Sequence, residues 1–424
     1  MNIVNKDDIF PVNVNSETGD LEAVIIHSMG SEVENMTPET AEHALYSDIL
    51  NLSVASQEFS QLRGALQKFA RVFEVKDLLA DVLCTGAVKA DLVEKVCKNC
   101  PDPHAFDFLM EQEPVSLAGY LIEGLVLTRD SLTRFLSPRR FAIKPLHNFF
   151  FTRDAAMSIN NRVLVGKMAS QVRSRESVIM DAIFSYHSSF QTKTFHISAH
   201  EKGCEKVSIE GGDVLVARED VLLIGLSART TSQGIDQVIE RLKEMNGVRH
   251  IIAQELPADR ESFIHLDMVF TILNHDECMI YEPVVMHPNR YKTIHIIMDN
   301  GKVRITEELN LLESLKKLGM DMKPIYCGGT ADPWTQEREQ WHSGANFFTV
   351  GPGKIIGYGR NVYTIEELSK NGYEVIRAID IMKGDTDPHQ YGKFVVTIDG
   401  SELSRGGGGA RCMTMPVRRK LIGN

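Results

Sequence analysis

Along much of the chain the apolar positions recur as one phrase: a polar residue leads into a short apolar run, a tight turn follows, and a second apolar run returns. Thr152-Arg-Asp-Ala-Ala-Met-Ser-Ile159 turns at Asn160-Asn161 into Val163-Leu-Val-Gly166. Glu210-Gly-Gly-Asp-Val-Leu-Val216 turns near Glu219-Asp220 into Val221-Leu-Leu-Ile-Gly225. His265-Leu-Asp-Met-Val-Phe-Thr-Ile272 turns at Asn274-His275-Asp276 into Cys278-Met-Ile-Tyr281, and Asn346-Phe-Phe-Thr-Val350 turns at Gly351-Pro-Gly353 into Ile355-Ile-Gly-Tyr358. Runs of this length, rich in β-branched residues and divided by Asn or Gly turns, predict β-hairpins. Helical periodicity separates them, for example over Ile235–Met245 and Leu309–Leu318. Units of this kind spaced by about 55–80 residues predict a repeat architecture. The strand expected at Leu21-Glu-Ala-Val-Ile-Ile-His27 and a strand near Cys412 would complete a fifth unit. Arranged around an axis, such units would bring the polar residue that opens each hairpin to one centre.

The first unit is interrupted. Helical spacing runs from Thr37 to about Phe69, and Phe73-Glu-Val75 reads as a further strand. From about Leu78 to Leu136 strand alternation disappears, Leu, Ala, Lys and Glu dominate, and Pro101, Pro103 and Pro114 divide helix-length pieces. The expected organisation is therefore the start of an α/β body over residues 1–77, an inserted helical subdomain over 78–140, and the rest of the body over 141–424.

Composition narrows the function by exclusion. The net charge of -11 argues against nucleic acid, which needs a concentrated basic face. Arg139, Arg140 and Lys144 form one small basic cluster, a size more often met as solvated surface. The residues after Met1 contain no apolar core of a secretory signal, and no apolar run approaches the ~20 residues that span a bilayer. Seven scattered cysteines do not make a disulfide framework, and Cys97-x-x-Cys100 lacks the second pair a zinc site needs. These features predict a protein of a reducing cytoplasm.

The hairpin openings hold the chemistry. Geometry around an axis would gather Asp154, Glu210, His265, Asp267 and Cys412 despite their separation in sequence. Alternation along a strand would put His265 and Asp267 on one face. Cys412 follows Arg405-Gly406-Gly407-Gly408-Gly409-Ala410-Arg411, four successive glycines that predict a pliant loop able to close over a small ligand. No Walker-type phosphate loop is present. Carboxylates suit a planar guanidinium, a thiolate can attack its central carbon, and an imidazole can carry protons to and from the departing amine. Each motif alone is weak evidence, and Asp154 could equally be paired with its neighbour Arg153.

Taken in order, Phe151-Thr-Arg-Asp154, Glu210-Gly-Gly-Asp213, His265-Leu-Asp267 and Cys412-Met-Thr414 resemble the motifs of the arginine deiminases, within the guanidine-modifying enzymes, from about Leu21 onward. The resemblance implies an α/β fold, a fivefold pseudosymmetric α/β propeller (pentein) with an inserted helical subdomain. It implies hydrolysis of L-arginine to L-citrulline and ammonia through an amidino-cysteine intermediate, with no metal and no organic cofactor. Cys412 would be the nucleophile, His265 the proton carrier, and Asp154 and Asp267 the holders of the guanidinium. Glu210 would bond both substrate and His265, while Asp213 would support its turn. Asn148, Arg173 and Arg229 resemble the positions that grip the amino-acid end. The gating arginine that many members carry five residues before the cysteine is Gly407 here; the form with arginine directly before the cysteine, as in mycoplasmas, matches Arg411, with Arg405 as second choice. The implied partner is a small molecule, with no nucleic acid or membrane surface, and self-association into a homo-oligomer stays open. A related guanidine-group hydrolase or amidinotransferase for another arginine-like substrate, and a non-catalytic arginine-binding protein, stay open too.

Overall fold

The computed structural model describes residues 9–38, 48–98, 100–197, 207–245, 247–258, 260–286, 289–299 and 301–422. Five sheets share one strand plan: the first strand runs antiparallel to the second, and a further strand runs parallel to the second. In the second blade these are Ala156–Ile159, Arg162–Val165 and Lys193–Phe195. In the third they are Val214–Arg218, Val221–Leu226 and His250–Glu255, extended by the hairpin Thr293–Asp299 and Lys302–Glu308. The fourth has Phe270–Ile272, Glu277–Ile280 and Lys323–Tyr326. The fifth has Phe348–Gly351, Lys354–Tyr358 and Phe394–Ile398, with Glu374–Arg377 at its edge. The first blade is made from both ends of the chain: Leu21–Ile26 pairs antiparallel with Met415–Arg419 and parallel with Arg71–Glu74. The fifth unit expected from the sequence is this one.

Local chemistry explains the elements. The turn at Asn160 takes φ 51°, a left-handed conformation that asparagine tolerates, and joins two strands with no intervening loop. The helix Ser232–Lys243 begins where the Thr231 hydroxyl accepts from the Gly234 amide at 3.2 Å. It buries Ile235, Val238, Ile239 and Leu242 at helical spacing against the third blade. Between the first and second blades the helices Val75–Leu83, Gly86–Cys97, Ala105–Glu111 and Pro114–Glu123 bury Leu78, Leu79, Leu92, Leu117 and Leu121. The same cluster contains Ile179, Ile183 and Phe184 from the helix Ser174–Tyr186 of the second blade. No helix among the described residues is long and apolar enough to cross a membrane.

Two local expectations are corrected. His265 and Asp267 do not lie on a strand: His265 is extended (φ -141°, ψ 158°), and Leu266–Met268 is a 3-10 turn before the strand Phe270–Ile272. Gly211–Asp213 is a matching 3-10 turn before the third blade's first strand. The glycine stretch is packed, not loose. A Cβ on Gly408 would stand 2.5 Å from the Phe151 ring, and one on Gly409 2.7 Å from Asn346. Gly407, at φ 82° and with nothing within 4 Å of a Cβ, does have the freedom expected of the run.

Candidate active site

The inner ends of the blades converge. Asp154 enters from the second blade, Glu210 from the third, His265 and Asp267 from the fourth, and Cys412 from the turn before the first blade's Met415–Arg419 strand. All five are buried. Backbone bonds fix their spacing: the Arg153 amide donates to the Cys412 carbonyl at 3.1 Å, and the Gly211 amide to the Asp154 carbonyl at 3.1 Å. Glycine is required where turns meet, since a Cβ on Gly212 would lie 2.3 Å from His265 Nδ1 and one on Gly211 2.0 Å from the Arg153 carbonyl. Asp213 clamps the two 3-10 turns, accepting from the Leu266 amide at 2.8 Å and the Ser227 hydroxyl at 2.7 Å. Its burial pushes its carboxyl up to about 7.

Around the imidazole, His265 Nε2 lies 3.1 Å from Glu210 Oε2, and His265 Nδ1 lies 3.7 Å from Asp154 Oδ1. Burial disfavours the imidazolium, but the Asp154 charge and the Glu210 bond outweigh it and hold His265 up at about 9. Burial would likewise raise Glu210, yet its bond to His265 and the Arg229 charge bring it down to about 2. His265 is thus a cation at neutral pH.

The nucleophile candidate has the opposite balance. Cys412 Sγ lies 3.6 Å and 3.8 Å from the two oxygens of Asp267 and 3.2 Å from Asn346 Nδ2. Burial pushes its thiol well above the ordinary range, the charges of Asp267 and Asp154 push further, and the Gly409 backbone and Arg411 only partly oppose them.

The expected arginines fall into three places. Arg173 is inside the cluster, with Nη1 2.7 Å from Asp154 Oδ2 and 3.8 Å from Glu210, and a second pairing to Glu176 at 2.8 Å. Its Nη2 also lies 3.4 Å from the Asn148 carbonyl. Arg229 is 3.8 Å from Glu210. Arg411 reaches Asp267 at 2.9 Å and is held by Glu17 at 3.0 Å, with 1% of its side chain exposed. Arg405 is apart from the cluster, on the surface, paired with Asp48 and Glu402. Arg153 does not pair with Asp154; its Nε donates to the Arg411 carbonyl at 3.2 Å. Asp154, Glu210 and His265 also bring ligand atoms within 4.8 Å of one another, a spacing a metal could use, but the Arg173 guanidinium already answers the charge of that set.

Sequence reasoning missed Asn346, Glu17 and Glu176. Asn346 occupies the opening of the fifth blade's hairpin, the position that supplies the other groups, so the repeat itself pointed to it. Glu17 and Glu176 lie outside the repeat and carry no such signal.

Solved structures with the same architecture are an amidinotransferase from Microseira wollei (TM-score 0.54, 13% identity, 97% of this chain and 98% of that one) and the N-terminal domain of the cyanobacterial arginine dihydrolase ArgZ (TM-score 0.52, 15% identity, 94% and 98%). A further one is a DDAH from Pseudomonas aeruginosa in complex with citrulline (TM-score 0.51, 14% identity, 94% and 99%). By fold the chain is an α/β propeller of the pentein class. Residues 43–419 match the family model for arginine deiminase. Curated arginine deiminases from Bacillus cereus (31% identity over 97% of this chain and 99% of the relative) and Oenococcus oeni (31%, 97% and 98%) align over nearly their whole length. The chain belongs to the arginine deiminase family.

Proposed function

We propose that this enzyme hydrolyses L-arginine to L-citrulline and ammonia, with Cys412 as nucleophile and His265 as proton carrier. The observation that carries the reading is the convergence of one thiol, one imidazolium and three carboxylates on a seat that already holds a guanidinium, that of Arg173. Arginine would displace Arg173 from Asp154 and bond Asp154 and Asp267 through its guanidinium nitrogens. Arg173, once released, would turn with Arg229 and Asn148 to the substrate's carboxylate. The incoming cation offsets the two acids that suppress the thiolate, so Cys412 is activated largely by its substrate.

As substrate binds, Cys412 loses its thiol proton to solvent, and the thiolate then attacks the guanidinium carbon. His265 gives its proton to one terminal nitrogen, the C–N bond breaks, and ammonia leaves with the amidino group on sulfur. A water attacks the same carbon while the now neutral His265 takes its proton. The C–S bond breaks with its electron pair returning to sulfur, the added oxygen loses its remaining proton to solvent or to the departed ammonia as the C=O forms, and citrulline is released. Glu210 keeps the imidazole oriented throughout. Arg411, engaged with Glu17 and Asp267, serves this scheme by holding the Asp267 carboxylate in position, which leaves Arg405 as the candidate gate. A reducing cytoplasm suits the six described cysteines, all free thiols.

Incubation with L-arginine is expected to yield citrulline and ammonia in equal amounts, and Cys412→Ala none. No product from the unaltered enzyme, or equal product from the variant, overturns the reading. Agmatine, which lacks the carboxylate, is expected to be turned over far less efficiently.

A further inference from the structure

The second, third and fourth blades and the turn before the last strand of the first each deliver a group to the reaction just described, while the fifth delivers an amide, that of Asn346. We propose that Asn346 is a catalytic residue, donating a hydrogen bond from Nδ2 to the Cys412 sulfur and aiming that sulfur at the reacting carbon. The proposal rests on the reading of Cys412 as nucleophile.

The amide is fully engaged and its orientation follows from its partners. Oδ1 accepts from the Arg411 amide at 2.9 Å and from the Cys412 amide at 3.3 Å. Turning the group over would set an NH2 against two N–H donors, so the oxygen must face them. Nδ2 is then left with the Asp267 carbonyl at 3.1 Å and Cys412 Sγ at 3.2 Å. At 1% exposure Asn346 has no solvent to exchange these for. The surrounding backbone is shaped for it. Gly409 has no side chain where a Cβ would strike Asn346, and Ser343, whose carbonyl accepts from the Asn346 amide at 3.0 Å, holds the left-handed φ of 60°.

A donor aimed at sulfur favours the thiolate over the thiol. Asp267 and Asp154 work in the other direction, so this bond acts where the sulfur has charge to lose. It matters twice: before the C–S bond forms, and again when that bond breaks and the pair returns to sulfur.

The test reads the sulfur directly. Alkylation of Cys412 by iodoacetamide is followed against pH in substrate-free enzyme, for the unaltered protein, Asn346→Ala and Asn346→Asp. Asn346→Asp keeps an acceptor for the two backbone amides and removes the donor. The pH midpoint is expected to rise by about one unit in Asn346→Ala and further in Asn346→Asp, with kcat lowered roughly 10- to 100-fold and KM little changed. A midpoint unmoved in a variant that melts like the unaltered enzyme overturns the proposal, as does a raised KM at unchanged kcat. If Asn346→Ala fails to fold, Asn346→Asp carries the measurement. A further readout needs no variant: with 15N-asparagine, the Asn346 side-chain resonances are expected to move when Cys412 is methylthiolated, and fixed resonances refute the bond. Shifted midpoints in a protein that makes no citrulline would sink the deiminase reading alone; citrulline production with unshifted midpoints would sink only the role of Asn346.

Discussion

Arg411 and Arg173 each hold an acid of the site, but they answer different demands. Arg411 is sealed between Glu17 and Asp267, so replacing it with methionine strands two buried carboxylates. Losing one member of such a buried group costs about 3–5 kcal/mol, and urea denaturation of Arg411→Met is expected to show a loss of that order. Arg405→Ala, which removes only surface pairs, is expected to leave the urea midpoint where it was. His265 sets the pH response. In the folded chain it keeps its proton up to about 9, against an ordinary value of 6.5. The stability this contributes is therefore complete below 6.5 and is lost as pH rises through 9. Thermal melting between those values is expected to decline in the unaltered enzyme and to flatten in His265→Asn. In the proposed reaction the imidazolium protonates the departing nitrogen, so the alkaline limb of kcat is expected to shift to lower pH in Glu210→Gln. Five of the site residues were legible in the sequence because each is chemically conspicuous just before an apolar strand, four at hairpin openings and Cys412 ahead of Met415–Arg419. Asn346 holds the same position but cannot titrate, so chemistry alone did not single it out. Glu17 was hidden because only the folded chain brings it to Arg411.

The short 3-10 turns decide where these side chains point. A strand at His265-Leu266-Asp267 was the natural reading of the alternation, and it failed because the Leu266 amide is taken by Asp213 from another blade. No local pattern encodes that bond. The same turn explains why Gly212 cannot carry a methyl group. Gly212→Ala would push on the imidazole from 2.3 Å, and displacement by about 1 Å is enough to cost about 100-fold in rate. The expected outcome is a fall of that size in kcat/KM, with overpacking that costs about 1–3 kcal/mol in denaturation. A folded variant with unchanged kcat/KM would mean that the turn does not position His265. The hairpins themselves were readable, since Asn160 and Gly353 sit at left-handed turn positions that few other residues accept. The Gly406–Gly409 run misled because four glycines look the same whether they give freedom or close approach; Gly408 and Gly409 serve the second purpose.

Across the whole molecule, the repeat was visible as spacing, and the first blade as two strands far apart in the sequence. What spacing could not give was how those ends meet. Leu21–Ile26 has Met415–Arg419 on one side and Arg71–Glu74 on the other. A chain stopped after Thr414 keeps every residue proposed for catalysis yet lacks the buried strand Met415–Arg419. It is expected to lose both citrulline production and a cooperative thermal transition, measured by circular dichroism. Retained activity would show that closure of the first blade is dispensable.

That closure also orders events during synthesis. The ribosome makes the acids and the imidazole first, the thiol after them, and the sealing strand after the thiol. A nascent chain can fold blade by blade as it emerges, but it lacks the proposed nucleophile, Cys412, until every other group of the site has been made. If Cys412 is the nucleophile as proposed, a chain cut short just before it would hold the acids and the imidazole without the thiol they surround, and so would form no amidino-cysteine intermediate.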